Sequence, residues 1–290
     1  MTEISYLLFD VFAEEPFTGN QLAVVSQHLP DATMQRIANE LNIAETVFLQ
    51  RTKDPNKPAE LRIFTPGREM PFAGHPTVGA TFAIAEVLKW VSPEQTEFVL
   101  GERVGDVAVR VERKNGALFA WLRTPPVKFL EEIDRTRCAA AIGVAQEDLN
   151  ETLPPQVVSA GNPFLYIALK DREAVDRASF QSSRLDESID WELVGVFVFC
   201  LTERGTYARM FAPMSGIGED PATGSATGPL FAYLAQRNAI DPKRDSFVSE
   251  QGVKLGRRSV LHVRLERAGE ALHVDVGGQT IFIGEGRLKF

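Results

Sequence analysis

Short runs of Val, Ile, Leu and Phe, many of them bounded by turn residues, recur along the chain and predict strands. The first half places them at Ile4–Val11, Gln21–Val25, Thr46–Gln50, Leu61–Thr65, Val107–Glu112 and Leu118–Leu122. The second half places them at Val157–Ser159, Phe164–Leu169, Val194–Leu201, Ala208–Phe211, Val260–Leu265, Leu272–Val276 and Ile281–Ile283. Asn115-Gly116 between two runs predicts a tight hairpin. Helical periodicity covers Met34–Leu41, Val78–Leu88, a stretch around Ala139–Ile142, and Gly228–Gln236. Asp31 stands where the first helix needs an N-cap, and Pro76 suits the first turn of the second. Many strands with few helices predict an α+β fold rather than a regular βαβ series.

The pattern repeats. Gly19-Asn20 opens an apolar strand, and Gly161-Asn162 opens another 142 residues later. Phe64-Thr65-Pro66 closes a strand before a glycine-rich loop, and Phe211-Ala212-Pro213 does so at an offset of 147. The helix start Gly79-Ala80-Thr81-Phe82-Ala83 is matched by Gly228-Pro229-Leu230-Phe231-Ala232, offset by 149. Each match alone is weak, because Gly and Pro mark turns everywhere. Three in one order, near half of 290 residues, predict two similar α/β halves. Thr124-Pro125-Pro126 is the linker candidate, since paired prolines interrupt sheet pairing. The run Ile281–Ile283 has two possible homes, one in each half.

Charge narrows the partners. With 31 basic and 39 acidic residues the net charge is −8, and no basic stripe suits a nucleic-acid backbone. The longest strongly apolar stretch, Leu193–Leu201, is far short of the roughly 20 residues of a membrane helix, so no membrane contact is expected. Asp10, Glu14 and Glu15 interrupt the N-terminal apolar run, and no secretory signal is expected. Cys138 and Cys200 stand 62 apart in no metal-like spacing, which fits a reducing, cytoplasmic setting and no metal site.

Two glycine-rich segments carry the candidate chemistry: Met70 to Gly79 and Gly216 to Gly228. Each lies between a strand end and a helix start, where unsatisfied amides attract an anion. A pair of such termini predicts a small carboxylate as ligand. Gly74, Gly224 and Ser225 are its candidate binders. His75, fixed between Gly74 and Pro76, has a ring suited to proton transfer, and a helix N-terminus favours its neutral form. Asp220 precedes Pro221, which biases its backbone towards an extended form that holds the carboxylate outward. Glu45 leads the apolar run Val47-Phe48-Leu49; from the residues alone an exposed strand-edge glutamate is the stronger reading. Dinucleotide, P-loop, nucleophile-elbow and zinc patterns are all missing from the sequence, which leaves cofactor-free proton chemistry.

These motifs resemble the phenazine-biosynthesis isomerase-like (PhzF-like) family across essentially the whole chain. The resemblance is carried by Phe9-Asp10-Val11-Phe12 with Gly19-Asn20, Ala44 to Phe48, and Arg62 to Pro66. It continues in Ala73 to Gly79, Gly218 to Ala226, and Gln251-Gly252 with Gly256-Arg257. It implies a diaminopimelate epimerase-like fold: two pseudo-repeated α/β halves, each a curved, barrel-like sheet around a central helix, with the active site in the cleft between them. It also implies that the last strand returns to the first half, giving domains of 1–125 plus 279–290 and of 126–278. The family's activity is isomerisation of trans-2,3-dihydro-3-hydroxyanthranilate by cofactor-independent proton transfer, and its members are commonly homodimers. The resemblance makes Glu45 the acid/base, His75 and Asp220 its assistants in proton handling, and Gly74, Gly224 and Ser225 the carboxylate binders. Fold-relatives that racemise amino acids use two thiols, but Ala73 and Thr223 stand beside the paired glycines here. The serine often found before the catalytic glutamate is Ala44. An epimerase on the same scaffold, or a non-catalytic small-carboxylate binder, are the alternatives to an isomerase.

Overall fold

The computed structural model describes residues 2–114, 116–181, 184, 193–213, 217–269 and 271–290. Asn115 of the expected hairpin and Gly216 of the second glycine-rich segment lie outside them. The chain divides into two compact units, Met1–Arg123 with Val276–Phe290, and Thr124–Asp275.

The first unit runs β1 (Glu3–Val11), β2 (Asn20–Val25), α1 (Asp31–Leu41), β3 (Glu45–Arg51), β4 (Ala59–Phe64) and β5 (Glu69–Met70). It continues with α2 (Gly74–Phe82), β6 (Glu97–Glu102), β7 (Gly105–Lys114) and β8 (Ala117–Arg123). β1 pairs antiparallel with β2, β2 parallel with β3, and β3 antiparallel with β4. β4 pairs antiparallel with β5 and parallel with β6, and β6–β7–β8 form an antiparallel meander. The last strand of the chain, β17 (Ala271–Lys289), pairs with both β1 and β8 and so closes this sheet into a barrel. Phe282 lies opposite Phe9 in that register, which gives the Ile281–Ile283 run its home in the first unit.

All nine residues of α2 are buried, so the helix is apolar all round and lies within the curved sheet rather than on its surface. Gly79 makes this possible: a Cβ there would fall 2.4 Å from Leu22 and 2.7 Å from Val11.

The second unit contains β9 (Lys128–Glu132), α3 (Arg135–Ile142), β10 (Gln156–Ser159), β11 (Pro163–Ala168), α4 (Arg172–Arg177) and β12 (Gly195–Thr202). β13 (Gly205–Ala212), β14 (Ile217–Asp220), α5 (Gly224–Gln236), β15 (Ser246–Gln251) and β16 (Ser259–Ala268) follow. Six of its pairings repeat those of the first unit in the same order and sense. β10–β11 is antiparallel, β11–β12 parallel, β12–β13 and β13–β14 antiparallel, β13–β15 parallel and β15–β16 antiparallel. Gly19 and Gly161, which precede β2 and β11, both adopt positive φ, at 66° and 104°. Tyr166 on β11 donates its hydroxyl to the carbonyl of Ala226 at 2.7 Å, anchoring the buried helix α5.

The expected strands and helices are present, with corrections; the helix expected at Gly228–Gln236 begins earlier, at Gly224. The second helix begins at Gly74, not at Val78, and ends in a π-helical turn over Ala83–Val87, where Leu88 donates to Ala83. Pro30, not Asp31, is the N-cap of α1; the Asp31 carboxylate is drawn instead to the Arg62 guanidinium at 3.0 Å. Leu272–Val276 and Ile281–Ile283 are one continuous strand, because ladder pairing on both sides outweighs the local turn signal of Gly277-Gly278. No helix among the described residues is long and apolar enough to cross a membrane.

Candidate active site

In the first unit the structure brings Glu45 and His75 together. Glu45 is the first residue of β3, and His75 the second of α2. The His75 ring is buried, with Nδ1 at 3.4 Å from Glu45 Oε2. Its Nε2 lies 3.3 Å from the carbonyl oxygen of Gln21, which can only accept, so Nε2 carries the hydrogen. Nδ1 then presents its lone pair, which accepts from the Asn20 side-chain amide at 3.2 Å. Glu45 thus stands close beside the ring, while the single Nδ1 lone pair is engaged by Asn20.

The surrounding chain supports this geometry. Asp10, buried in β1, accepts from the backbone N–H of Phe17 at 2.7 Å, which shapes the loop leading into Gly19-Asn20. Pro76 falls within the first turn of α2, as its sequence position predicts. No carbonyl precedes the amides of Gly74 and His75 within the helix, and the N-cap Ala73 has no side chain to satisfy them.

Burial drives the His75 pKa down to about 3, against a smaller raising effect of the Gln21 carbonyl. Because the folded value lies below the ordinary one, His75 supports the fold fully above pH about 6.5 and progressively less as pH falls towards 3. The unfolding free energy should therefore decline between pH 6.5 and 5, above the range where ordinary carboxyls titrate. A His75→Gln variant should lack that slope in urea titrations taken through the same interval.

In the second unit, Asp220 ends β14 and is buried. Its carboxylate accepts from the Thr223 hydroxyl at 2.6 Å. Gln251, on β15, ties the segment together. Its amide nitrogen donates to the Asp220 carbonyl at 2.7 Å and to Thr223 Oγ1 at 3.0 Å, and its oxygen accepts from the Thr223 amide at 3.1 Å. Gly224 and Ser225 open α5, Gly224 buried and Ser225 half-buried. Asn20 and Gln251 belong to sequence motifs, yet their side-chain roles emerge only from this bonding.

A further matched pair escaped the sequence reading. Arg62 and Glu69 join β4 to β5, and Arg209 and Glu219 join β13 to β14, each through two guanidinium contacts. Their offsets of 147 and 150 are the repeat's own, which is the signal that would have found them. Cys138 and Cys200 are both buried in the apolar core of the second unit. Burial pushes their thiols up to about 12 and about 11, so neither resembles the exposed, activated thiol of a two-cysteine racemase. Among the described residues no His, Cys, Asp or Glu cluster has the makings of a metal site.

The chain is similar to known proteins along nearly its whole length. The family model described as phenazine biosynthesis-like protein matches residues 9–286. The trans-2,3-dihydro-3-hydroxyanthranilate isomerase of Pseudomonas aeruginosa is 34% identical over 286 residues, covering 97% of this chain and 98% of the relative. The crystal structure of a PhzF-family phenazine biosynthesis protein from Bacillus anthracis superposes with a TM-score of 0.89 at 26% identity, over 100% of both chains. A structure described as a predicted epimerase from Pseudomonas aeruginosa gives a TM-score of 0.84 at 35% identity, over 99% of each. The fold is the diaminopimelate epimerase-like one, with mixed α/β units and few helices.

Proposed function

This chain belongs to the phenazine biosynthesis-like family and is an isomerase, and we propose that it works by cofactor-independent general acid–base proton transfer on a small carboxylate of the trans-2,3-dihydro-3-hydroxyanthranilate type. The observation that carries this reading is the Glu45–His75 pair, a carboxyl oxygen 3.4 Å from Nδ1 of a buried, neutral imidazole. Glu45 as carboxylate removes a proton from one ring carbon of the substrate, and the freed electron pair shifts into the adjoining double bond. The same carboxyl, now protonated, returns the proton at a different carbon, so no net charge or redox change results. His75 stands beside the carboxyl as a neutral ring, and Asn20 and the Gln21 carbonyl keep that ring from turning.

Each buried helix starts with amides suited to a carboxylate, at Gly74 in the first unit and at Gly224 with Ser225 in the second. Asp220, held by Thr223, is a group suited to the polar substituents of a ligand in the second unit. Likeness to a relative that bears the isomerase's name supports the ring-shaped substrate.

The test is proton NMR of trans-2,3-dihydro-3-hydroxyanthranilate with the protein in heavy water. The expected result is isomerised product carrying deuterium at the newly protonated carbon. Folded protein that yields no product would overturn the assignment of this substrate.

A further inference from the structure

Glu102, the last residue of β6, is a buried acid that the proton transfer above does not use. Only 8% of its surface is exposed. Its Oε1 lies 2.6 Å from the Thr77 hydroxyl, and that hydroxyl also lies 2.8 Å from the carbonyl oxygen of Ala73. Thr77 has one proton, and the Ala73 carbonyl can only accept. Both contacts are hydrogen bonds only if a second proton sits on Glu102, so that Glu102 donates to Thr77 and Thr77 donates to Ala73. The other carboxyl oxygen, Oε2, is buried with no hydrogen-bond partner. The carbonyl oxygen of a neutral acid survives there at modest cost, whereas half of a carboxylate charge would not.

Among the described residues, charged neighbours offer no compensation. Glu60 on β4 and Asp106 on β7 are both bound to Lys57, and Arg103 is bound to Glu69 on β5. His75 on α2 is neutral and held by Asn20 and Gln21.

The repeat supplies an independent argument. In the first unit the parallel β4–β6 register ends at Glu60 opposite Gly101, and Glu102 is next. In the second the parallel β13–β15 register ends at Tyr207 opposite Glu250, and Gln251 is next. Glu102 and Gln251 thus occupy the same place, each against the start of its unit's buried helix. Gln251 is a neutral amide that donates to Thr223 Oγ1 at 3.0 Å. A protonated carboxyl is the nearest chemical equivalent of that amide.

We propose that Glu102 is a neutral carboxylic acid that positions the N-terminal turn of α2, Ala73-Gly74-His75, as Gln251 positions that of α5. The inference rests on the reading above only in giving that turn a substrate-side role. Burial pushes the Glu102 carboxyl up to about 8, against the lowering effect of Thr77, in keeping with a neutral acid. When it ionises, Thr77 must turn its hydroxyl proton to the carboxylate, leaving the Ala73 carbonyl only the Thr77 backbone N–H at 3.2 Å and loosening the turn that carries His75.

The test is NMR of full-length protein labelled with carbon-13 at the glutamate carboxyls and nitrogen-15 in the histidine rings, titrated from pH 4 to 10. Wild type should show one glutamate carboxyl with a midpoint near 8, missing in Glu102→Gln, and His75 ring signals that shift with the same midpoint in wild type alone. A Glu102 midpoint near the ordinary 4.5 would overturn the neutral acid. A midpoint near 8 with unmoved His75 signals would overturn positioning. In turnover, Glu102→Ala should lose about tenfold in kcat, and Glu102→Gln should restore it while removing the alkaline fall of the wild-type profile. These signals need no substrate, so failure of the wild type to isomerise the compound would strike the functional reading alone.

Discussion

Glu45→Gln should lower kcat for isomerisation by about a thousandfold, the middle of the range for removing a positioned acid–base group, with little change in KM or in thermal stability. The argument rests on what the amide preserves. Glutamine has the same length and shape, and its amide can stand where Glu45 Oε2 now lies, 3.4 Å from His75 Nδ1. The imidazole keeps its tautomer, because Nε2 still donates to Gln21 and Asn20 still donates to Nδ1. Only the exchangeable carboxyl proton is lost. A purely structural role for Glu45 would show the reverse, a shifted melting temperature with turnover largely intact. The measurement is steady-state turnover and deuterium incorporation beside a melting curve for both proteins. A variant rate within tenfold of wild type would move the proton transfer to another group.

Much of this site was legible before any coordinates, and the part that was not has a physical reason. His75 could be singled out because glycine and proline fix the backbone on either side, and its neutral state follows from burial at a helix start. The two halves were legible because turns, strand ends and glycine-rich loops recur in one order. Glu45 was not: a glutamate before an apolar run looks like a strand-edge charge, and only the family resemblance raised it. Proximity to His75 comes from the parallel pairing of β2 with β3, which sets Glu45 opposite Leu22 beside Gln21 and Asn20. Such long-range register leaves no local trace.

The strands β6 and β15 were missed for a different reason. Glu97–Glu102 and Ser246–Gln251 carry too many charged, hydroxyl and glycine positions to announce strands by alternation. They exist because β4 and β13 offer them a parallel edge. With them were lost Glu102 and the structural meaning of Gln251. Buried polar positions of this kind break the hydrophobic pattern, and for that reason pattern reading passes over the residues a site most needs.

Arg209→Ala should cost about 3–5 kcal/mol of stability, the usual penalty for stripping one partner from a buried ion pair. For units of this size that is a fall of about 10 °C in melting temperature. The side chains of Arg209 and Glu219 are each only 11% exposed. The guanidinium grips Glu219 through Nε at 3.0 Å and Nη2 at 2.7 Å. Its remaining nitrogen, Nη1, donates to the carbonyls of Val175, Asp176 and Ala178 at 3.2, 3.1 and 2.6 Å, which terminate α4. Alanine would leave the Glu219 carboxylate and the carbonyls of Asp176 and Ala178 to find other partners in a dry place, while the Val175 carbonyl keeps the Ala178 N–H.

Arg209→Lys should recover less than half of the loss, because one ammonium cannot face both carboxylate oxygens and a helix end together. The equivalent Arg62→Ala should cost less. Arg62 spends Nη1 on the exposed Asp31, and Glu69 keeps a second cation in Arg103 at 2.6 Å. Glu219 adjoins Asp220, so the loss should reach the site as well: Arg209→Ala frees the end of β14 and should weaken turnover even at temperatures where the variant is folded. Melting curves for the three variants, with a Glu219→Gln double-mutant cycle, decide the matter. A fall below about 3 °C for Arg209→Ala, or equal losses for Arg62→Ala, would mean that the pair is solvated and that β14 is held by its ladder alone.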